Sequence, residues 1–114
     1  MCDKSVLDEI TSRVCAAAKE VLGDKLEKVI LFGSYARGDY DEESDIDIMV
    51  IADIALEEAN EVRSKIYAQT RDLDMKYDIL VYLSMDCSHI FHRYKDASGF
   101  YINVQKDGVT LYAA

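Results

Sequence analysis

Apolar residues recur at Val6, Leu7, Ile10, Val14, Ala17, Ala18, Val21 and Leu22. Steps of three and four residues put them on one face, so the spacing predicts a helix from about Asp3 to Leu22. Gly23 is its expected stop, since glycine enters the left-handed conformation that closes a helix. The period then changes. Lys28 to Phe32 (KVILF) is a short apolar run of strand formers that ends at Gly33. Gly33 to Ser44 (GSYARGDYDEES) is polar, carries two glycines and reads as loop or broken helix. In Asp45 to Ile51 (DIDIMVI) acids first alternate with apolar residues. A strand there points Asp45 and Asp47 to one face and Ile46 and Ile48 to the other.

Asp53 is placed to cap a helix running to about Arg71, with Leu56, Ala59, Val62, Ile66 and Tyr67 as its apolar stripe. Lys76 to Leu83 (KYDILVYL) reads as a third strand, with Asp78 on the same face as Leu80 and Tyr82. Ser84 or Asp86 is placed to cap a helix through Ile90, Phe91 and Tyr94. A short helix near Phe100 to Val104 and a strand from Val109 to Tyr112 complete the chain. The order α-β-loop-β-α-β-α-(α)-β predicts a mixed α/β (α+β) sandwich, a short mixed sheet with helices mainly on one face. A sheet so small leaves its other face thinly covered, which favours a partner or oligomer.

The totals narrow the choice of function. The 114 residues fit one domain, 1–114, and the absence of proline and of Ser/Gly-rich tracts removes any linker. The formal net charge is −9, which argues against gripping nucleic acid through a broad basic surface and permits a basic protein partner. Cys2, Cys15 and Cys87 are odd in number and form no C-x-x-C pair, so reduced thiols in a cytoplasm are expected. The start, MCDKSVLDEI, has acids where a signal peptide carries basic and then apolar residues. No apolar run approaches the roughly 20 residues that span a bilayer.

The chemistry is concentrated between Leu31 and Val50. A strand ending in Gly33-Ser34 lets the backbone approach a phosphate, and the Ser34 hydroxyl is a donor to it. Arg37 follows one turn later, with planar donors suited to a phosphate. Asp45 and Asp47, adjacent on one strand face, suit hard divalent cations that also bind substrate phosphate oxygens. Together they hold a nucleoside triphosphate by its tail, with metal above two carboxylates, as two-metal phosphoryl transfer requires. A third carboxylate completes such a site as metal ligand or general base, and Asp78 is the candidate.

An apolar residue, Gly-Ser, ten residues (Tyr35 to Ser44) and then Asp-Ile-Asp-Ile resembles the signature of the DNA polymerase beta-like nucleotidyltransferase superfamily. The string GSYARGDYDEESDIDIMV and the ending GFYINVQKDGVTLYAA are similar to the minimal nucleotidyltransferases. The resemblance implies that Gly33, Ser34 and Arg37 bind the triphosphate of ATP and that Asp45, Asp47 and Asp78 hold Mg²⁺, as two ions. It also implies a role as the antitoxin of a toxin–antitoxin pair. The partner in such pairs is a small helical HEPN-domain ribonuclease, and AMP is transferred from ATP to its tyrosine.

Other readings compete at each position. The alternating acids from Asp39 to Asp47 suggest a Ca²⁺ loop, but Ser44 stands where glycine is required and Val50 where glutamate is required. Arg37 also suits a surface pair with Asp39 or Glu42, and Asp78 a capping or ion-paired acid. His89 and His92 near Cys87 lack the further ligands of a zinc site and read as surface residues. A non-catalytic antitoxin that occludes its toxin is one alternative function. A small-molecule nucleotidyltransferase of the aminoglycoside-modifying kind is another, disfavoured because about 20 residues after Tyr94 leave little for an acceptor pocket.

Overall fold

The computed structural model describes residues 3–114, so Cys2 lies outside them, while Cys15 and Cys87 are free thiols. Helix α1 (Lys4–Leu22) starts at Asp3, whose carboxylate accepts the Val6 N–H at 2.9 Å. Its buried face is Ile10, Thr11, Val14, Ala17, Ala18 and Leu22. Gly23 ends it with φ 55° and ψ −127°, outside the left-handed helical region expected, and its N–H returns to the Lys19 carbonyl. Strand β1 (Leu26–Phe32), the one-turn helix α2 (Ser34–Arg37) and strand β2 (Ile46–Ala52) follow. Next come α3 (Ala59–Ala68), α4 (Arg71–Tyr77), β3 (Val81–Cys87), α5 (Ser88–Tyr94), α6 (Gly99–Asp107) and β4 (Val109–Ala113).

Three boundaries depart from the sequence expectation. Asp53 caps no helix. Its N–H donates to the Lys25 carbonyl, and a 3-10 turn at Leu56–Glu58 leads into α3, leaving Leu56 63% exposed. The helix expected to reach Arg71 breaks at Gln69 and the fully buried Thr70, and Arg71 opens α4. Lys76 and Tyr77, expected in the third strand, finish α4 instead. Tertiary contacts decide this: Leu73 is buried in the core, and the Tyr67 hydroxyl donates to Asp74 at 2.8 Å. Strand β3 is therefore displaced to Val81–Cys87, so Ser84 and Asp86 lie within it rather than capping α5.

The sheet order is β3-β2-β1-β4. Strand β1 runs antiparallel to β2 and β4, and β2 runs parallel to β3 across the α3–α4 connection. Val29, Leu31, Ile46, Ile48, Val50, Val81 and Leu83 pack with α1, α3 and Leu73 in the larger core. On the other face Ile30, Phe32, Met49 and Ile51 meet Phe91 of α5 and Val104 of α6. The longer helices thus share one face, and two short ones partly cover the face that the sequence left thin. Among the described residues no helix is long and apolar enough to cross a membrane.

Candidate active site

The register of β1 against β2 builds the site. Phe32 pairs with Asp47, so Gly33 leaves β1 beside the Asp47 carboxylate. Gly33 has φ 73°, and a Cβ there would overlap the Asp47 carboxylate, with its Cγ only 3.1 Å away. Glycine is therefore required twice, for the backbone conformation and for the space. The Gly33 carbonyl accepts the Ala36 and Arg37 N–H groups at 3.2 and 3.1 Å, closing the turn that carries Ser34.

The loop from Gly38 to Asp45 is folded by its own side chains. Tyr40 stacks on the buried Tyr35, with centroids 4.3 Å apart and planes 8° from parallel. Asp41 Oδ1 accepts from the Glu43 N–H at 2.9 Å and the Ser44 hydroxyl at 3.2 Å, and the Asp41 N–H donates to Ser44 Oγ at 2.9 Å. This delivers the chain to β2 with Ile46 and Ile48 fully buried, which forces Asp45 and Asp47 to the opposite face. Burial raises the Asp47 pKa above the usual aspartate value, the Asp45 charge raises it further and Arg37 opposes both.

Phe32, Gly33, Ser34, Arg37 and Asp47 form one side of a cleft of about 330 Å³. The other side is Phe100, Asn103, Val104 and Asp107 of α6. The structure thus brings Gly33, Ser34, Arg37 and Asp47 together, with Asp45 acting electrostatically on Asp47. Arg37 faces this cleft and also pairs with Asp39 at 3.1 Å, so both sequence readings of it describe the same side chain. Asp78 is not in the cleft. It is exposed, with φ 50° and ψ 51°, and its N–H donates to the Asp74 carbonyl at the end of α4. It lies three residues before β3, whose first residue pairs with Ile46, so it stands at the same end of the sheet as Asp45.

The four α6 residues escaped the sequence reading, which placed a helix there without orienting it. Their i, i+3, i+4, i+7 spacing was the available signal. A larger hollow of about 430 Å³ between the start of α1 and β4 contains neither the acid pair nor Gly33. Among the described residues no three His, Cys, Asp or Glu side chains gather as a metal cluster, and His92 instead bonds Glu27 at 2.7 Å. Asp45 and Asp47 nevertheless fit a hard divalent cation. The Asp45 charge opposes ionisation of Asp47, a repulsion such an ion relieves, and Mg²⁺ takes one or two carboxylates with phosphate oxygens completing its shell.

Known proteins resemble this chain in sequence and fold. The family model described as a nucleotidyltransferase domain matches residues 13–106. Two proteins of Methanocaldococcus jannaschii, provisionally named protein adenylyltransferases, are similar along most of the chain. One is 34% identical over 96 residues, covering 84% of this chain and 88% of the relative. The other is 39% identical over 91 residues, covering 80% and 84%. Among solved structures, a toxin–antitoxin crystallised with AMP-PNP superposes with a TM-score of 0.61 at 26% identity, over 91% of this chain and 73% of that one. A provisionally assigned nucleotidyltransferase from Sulfolobus solfataricus shares the fold, with a TM-score of 0.51 at 24% identity, over 98% and 90% of the two chains. The Gly33 turn facing a paired-acid strand thus sits inside a matched family domain, and the chain belongs to the nucleotidyltransferase family.

Proposed function

We propose that the chain transfers AMP from ATP to a tyrosine hydroxyl of a cognate toxin, a HEPN-domain ribonuclease, and so acts as the antitoxin of that pair. The observation that carries this reading is the approach of the Gly33 turn to Asp47 within one cleft, which supports a phosphate cradle facing paired carboxylates. Relatives named protein adenylyltransferases and a toxin–antitoxin neighbour support a protein acceptor. A nucleotide takes up a cleft of about 330 Å³, and an acceptor that brings its own surface needs no second pocket.

In this reading Gly33, Ser34 and Arg37 hold the β- and γ-phosphates. Asp45 and Asp47 would hold Mg²⁺, as two ions, which would supply neutralisation of the charge that develops on the reacting phosphates. The acceptor oxygen forms a bond to the α-phosphorus while the bond to the β-phosphate oxygen breaks and pyrophosphate leaves. Asp78, at the same sheet end, completes the carboxylate set and takes the hydroxyl proton. The test is incubation with α-labelled ATP, Mg²⁺ and the partner toxin. Label should pass to a toxin tyrosine and be lost with the Asp45→Ala/Asp47→Ala pair. Asp78→Asn keeps a residue tolerant of φ 50° and should lower transfer at least about 100-fold without lowering stability. Equal labelling by the double variant defeats the proposal.

A further inference from the structure

The motif side of the cleft accounts for the phosphates and leaves the α6 side without a task. That wall carries an aromatic ring, a carboxamide, an apolar side chain and an acid, all from one helix face. It presents no cation to the cleft, whereas the opposite wall presents Arg37 and the Ser34 hydroxyl. On the α6 side no cation offsets Asp107, whereas Arg37 opposes the charge of Asp47 on the other, so charge sorts a bound nucleotide: its tail to Gly33–Arg37, its uncharged nucleoside to α6.

The wall is held in place. Val104 is buried against Ile30, Phe32, Met49 and Ile51. The Tyr101 hydroxyl donates to Asp86 at 2.7 Å, and Asp86 also accepts from Ser84 at 2.6 Å, which fastens α6 to β3. Ser98 caps the helix by accepting the Tyr101 N–H. Phe100 sits edge-to-face on Phe32, with centroids 5.5 Å apart and planes 81° apart, and is still 48% exposed. About half of its surface is thus left for a ligand. Asn103, one turn on, is exposed and its carboxamide makes no hydrogen bond among the described residues.

We propose that this wall is the base subsite, in which Phe100 stacks on a purine and the Asn103 carboxamide reads its edge, selecting adenine over guanine. A carboxamide pairs bidentately with the N6 donor and N7 acceptor of adenine, whereas guanine offers two acceptors at the corresponding edge. Stacking on an aromatic face is tolerant of sequence and supplies affinity, and the carboxamide supplies choice. This rests on the nucleotidyltransferase reading of the cleft and adds the determinant of the nucleotide.

The test measures binding of ATP, GTP and inorganic tripolyphosphate, each with Mg²⁺, by calorimetry. Wild type, Ser34→Ala, Phe100→Ala, Phe100→Trp, Asn103→Ala and Asn103→Asp are compared, each checked for its melting transition. Phe100→Ala should weaken ATP about tenfold and leave tripolyphosphate unchanged, and Phe100→Trp should restore ATP. Asn103→Ala should abolish the preference for ATP over GTP, and Asn103→Asp should weaken ATP. Ser34→Ala should weaken all three probes. If nucleotides bind through Ser34 but the α6 variants leave ATP binding unchanged, the subsite is overturned while the nucleotidyltransferase reading stands. Loss of transfer to a protein acceptor with unchanged ATP binding likewise overturns it and assigns the wall to the acceptor. If none of the probes binds, both readings fall together.

Discussion

At the scale of single residues, the site is held in tension by like charges. Asp47 is pushed above the aspartate value of 3.8 by burial first and by Asp45 second. For an acid whose folded pKa is raised, the stabilising contribution belongs to the protonated form. It is present at low pH and is lost as pH rises from the ordinary value through the raised one. At neutral pH the ionised pair therefore weakens the metal-free fold. Asp47→Asn should raise the melting temperature by a few degrees, on the order of 1 kcal/mol, while abolishing activity. Mg²⁺ should raise the melting temperature of the wild type and not of the variant. Gly33→Ala should do the reverse, losing about 2 kcal/mol or more together with nucleotide binding, because φ 73° and the Asp47 carboxylate both exclude a Cβ. Thermal melts with and without Mg²⁺ check both outcomes. These residues were legible in the sequence because their signals are local: a glycine that ends an apolar run, and acids alternating with isoleucines. The structural setting of Asp78 was not. KYDILVYL has strand composition throughout, and contacts made elsewhere in the fold, the buried Leu73, the Tyr67–Asp74 bond and the Tyr77 hydroxyl donating to Glu9 at 2.6 Å, carry the helix through Tyr77.

At the scale of elements, the thinly covered sheet face is closed by polar fasteners as much as by its small apolar core. Glu27 at the start of β1 accepts from the Ser88 hydroxyl at 2.6 Å and bonds His92 at 2.7 Å, tying down α5. Burial pushes its pKa up, but these partners outweigh burial and hold it below 4.5. A depressed acid stabilises the fold above its unfolded pKa, and that stability is lost as pH falls through the lowered value. Glu27→Gln should therefore cost about 1 kcal/mol at pH 7, with the difference from wild type shrinking below about pH 4, as measured by urea unfolding across pH. Histidine and serine near Cys87 gave no hint of this in the sequence, since their partner lies 61 and 65 residues away. The element order itself was legible, apart from α2 and the α3–α4 break. The face of α6 was not, because a nine-residue helix with polar residues around it can be oriented only by the sheet it meets.

At the scale of the whole molecule, charge sets how a partner arrives. A net charge of −9, with Asp39, Asp41, Glu42, Glu43 and Asp45 exposed beside the cleft, gives the active-site end a negative field. If the acceptor protein docks over this end, its association rate should fall about tenfold between roughly 50 and 500 mM salt, with a much smaller change in dissociation, as stopped-flow mixing would measure. The composition made this much legible, while the acceptor's contact surface is a property of two molecules.

The pairing of Phe32 with Asp47 has a consequence for control. One ladder both completes the sheet centre and sets the distance between the Gly33 turn and the carboxylates. A slip by one residue would turn both acids into the core and destroy the fold along with the site. Assembly of the cleft and assembly of the sheet are thus one event. In the proposed reading such a catalyst is governed by what occupies its cleft, so that nucleotide and acceptor supply set when it acts.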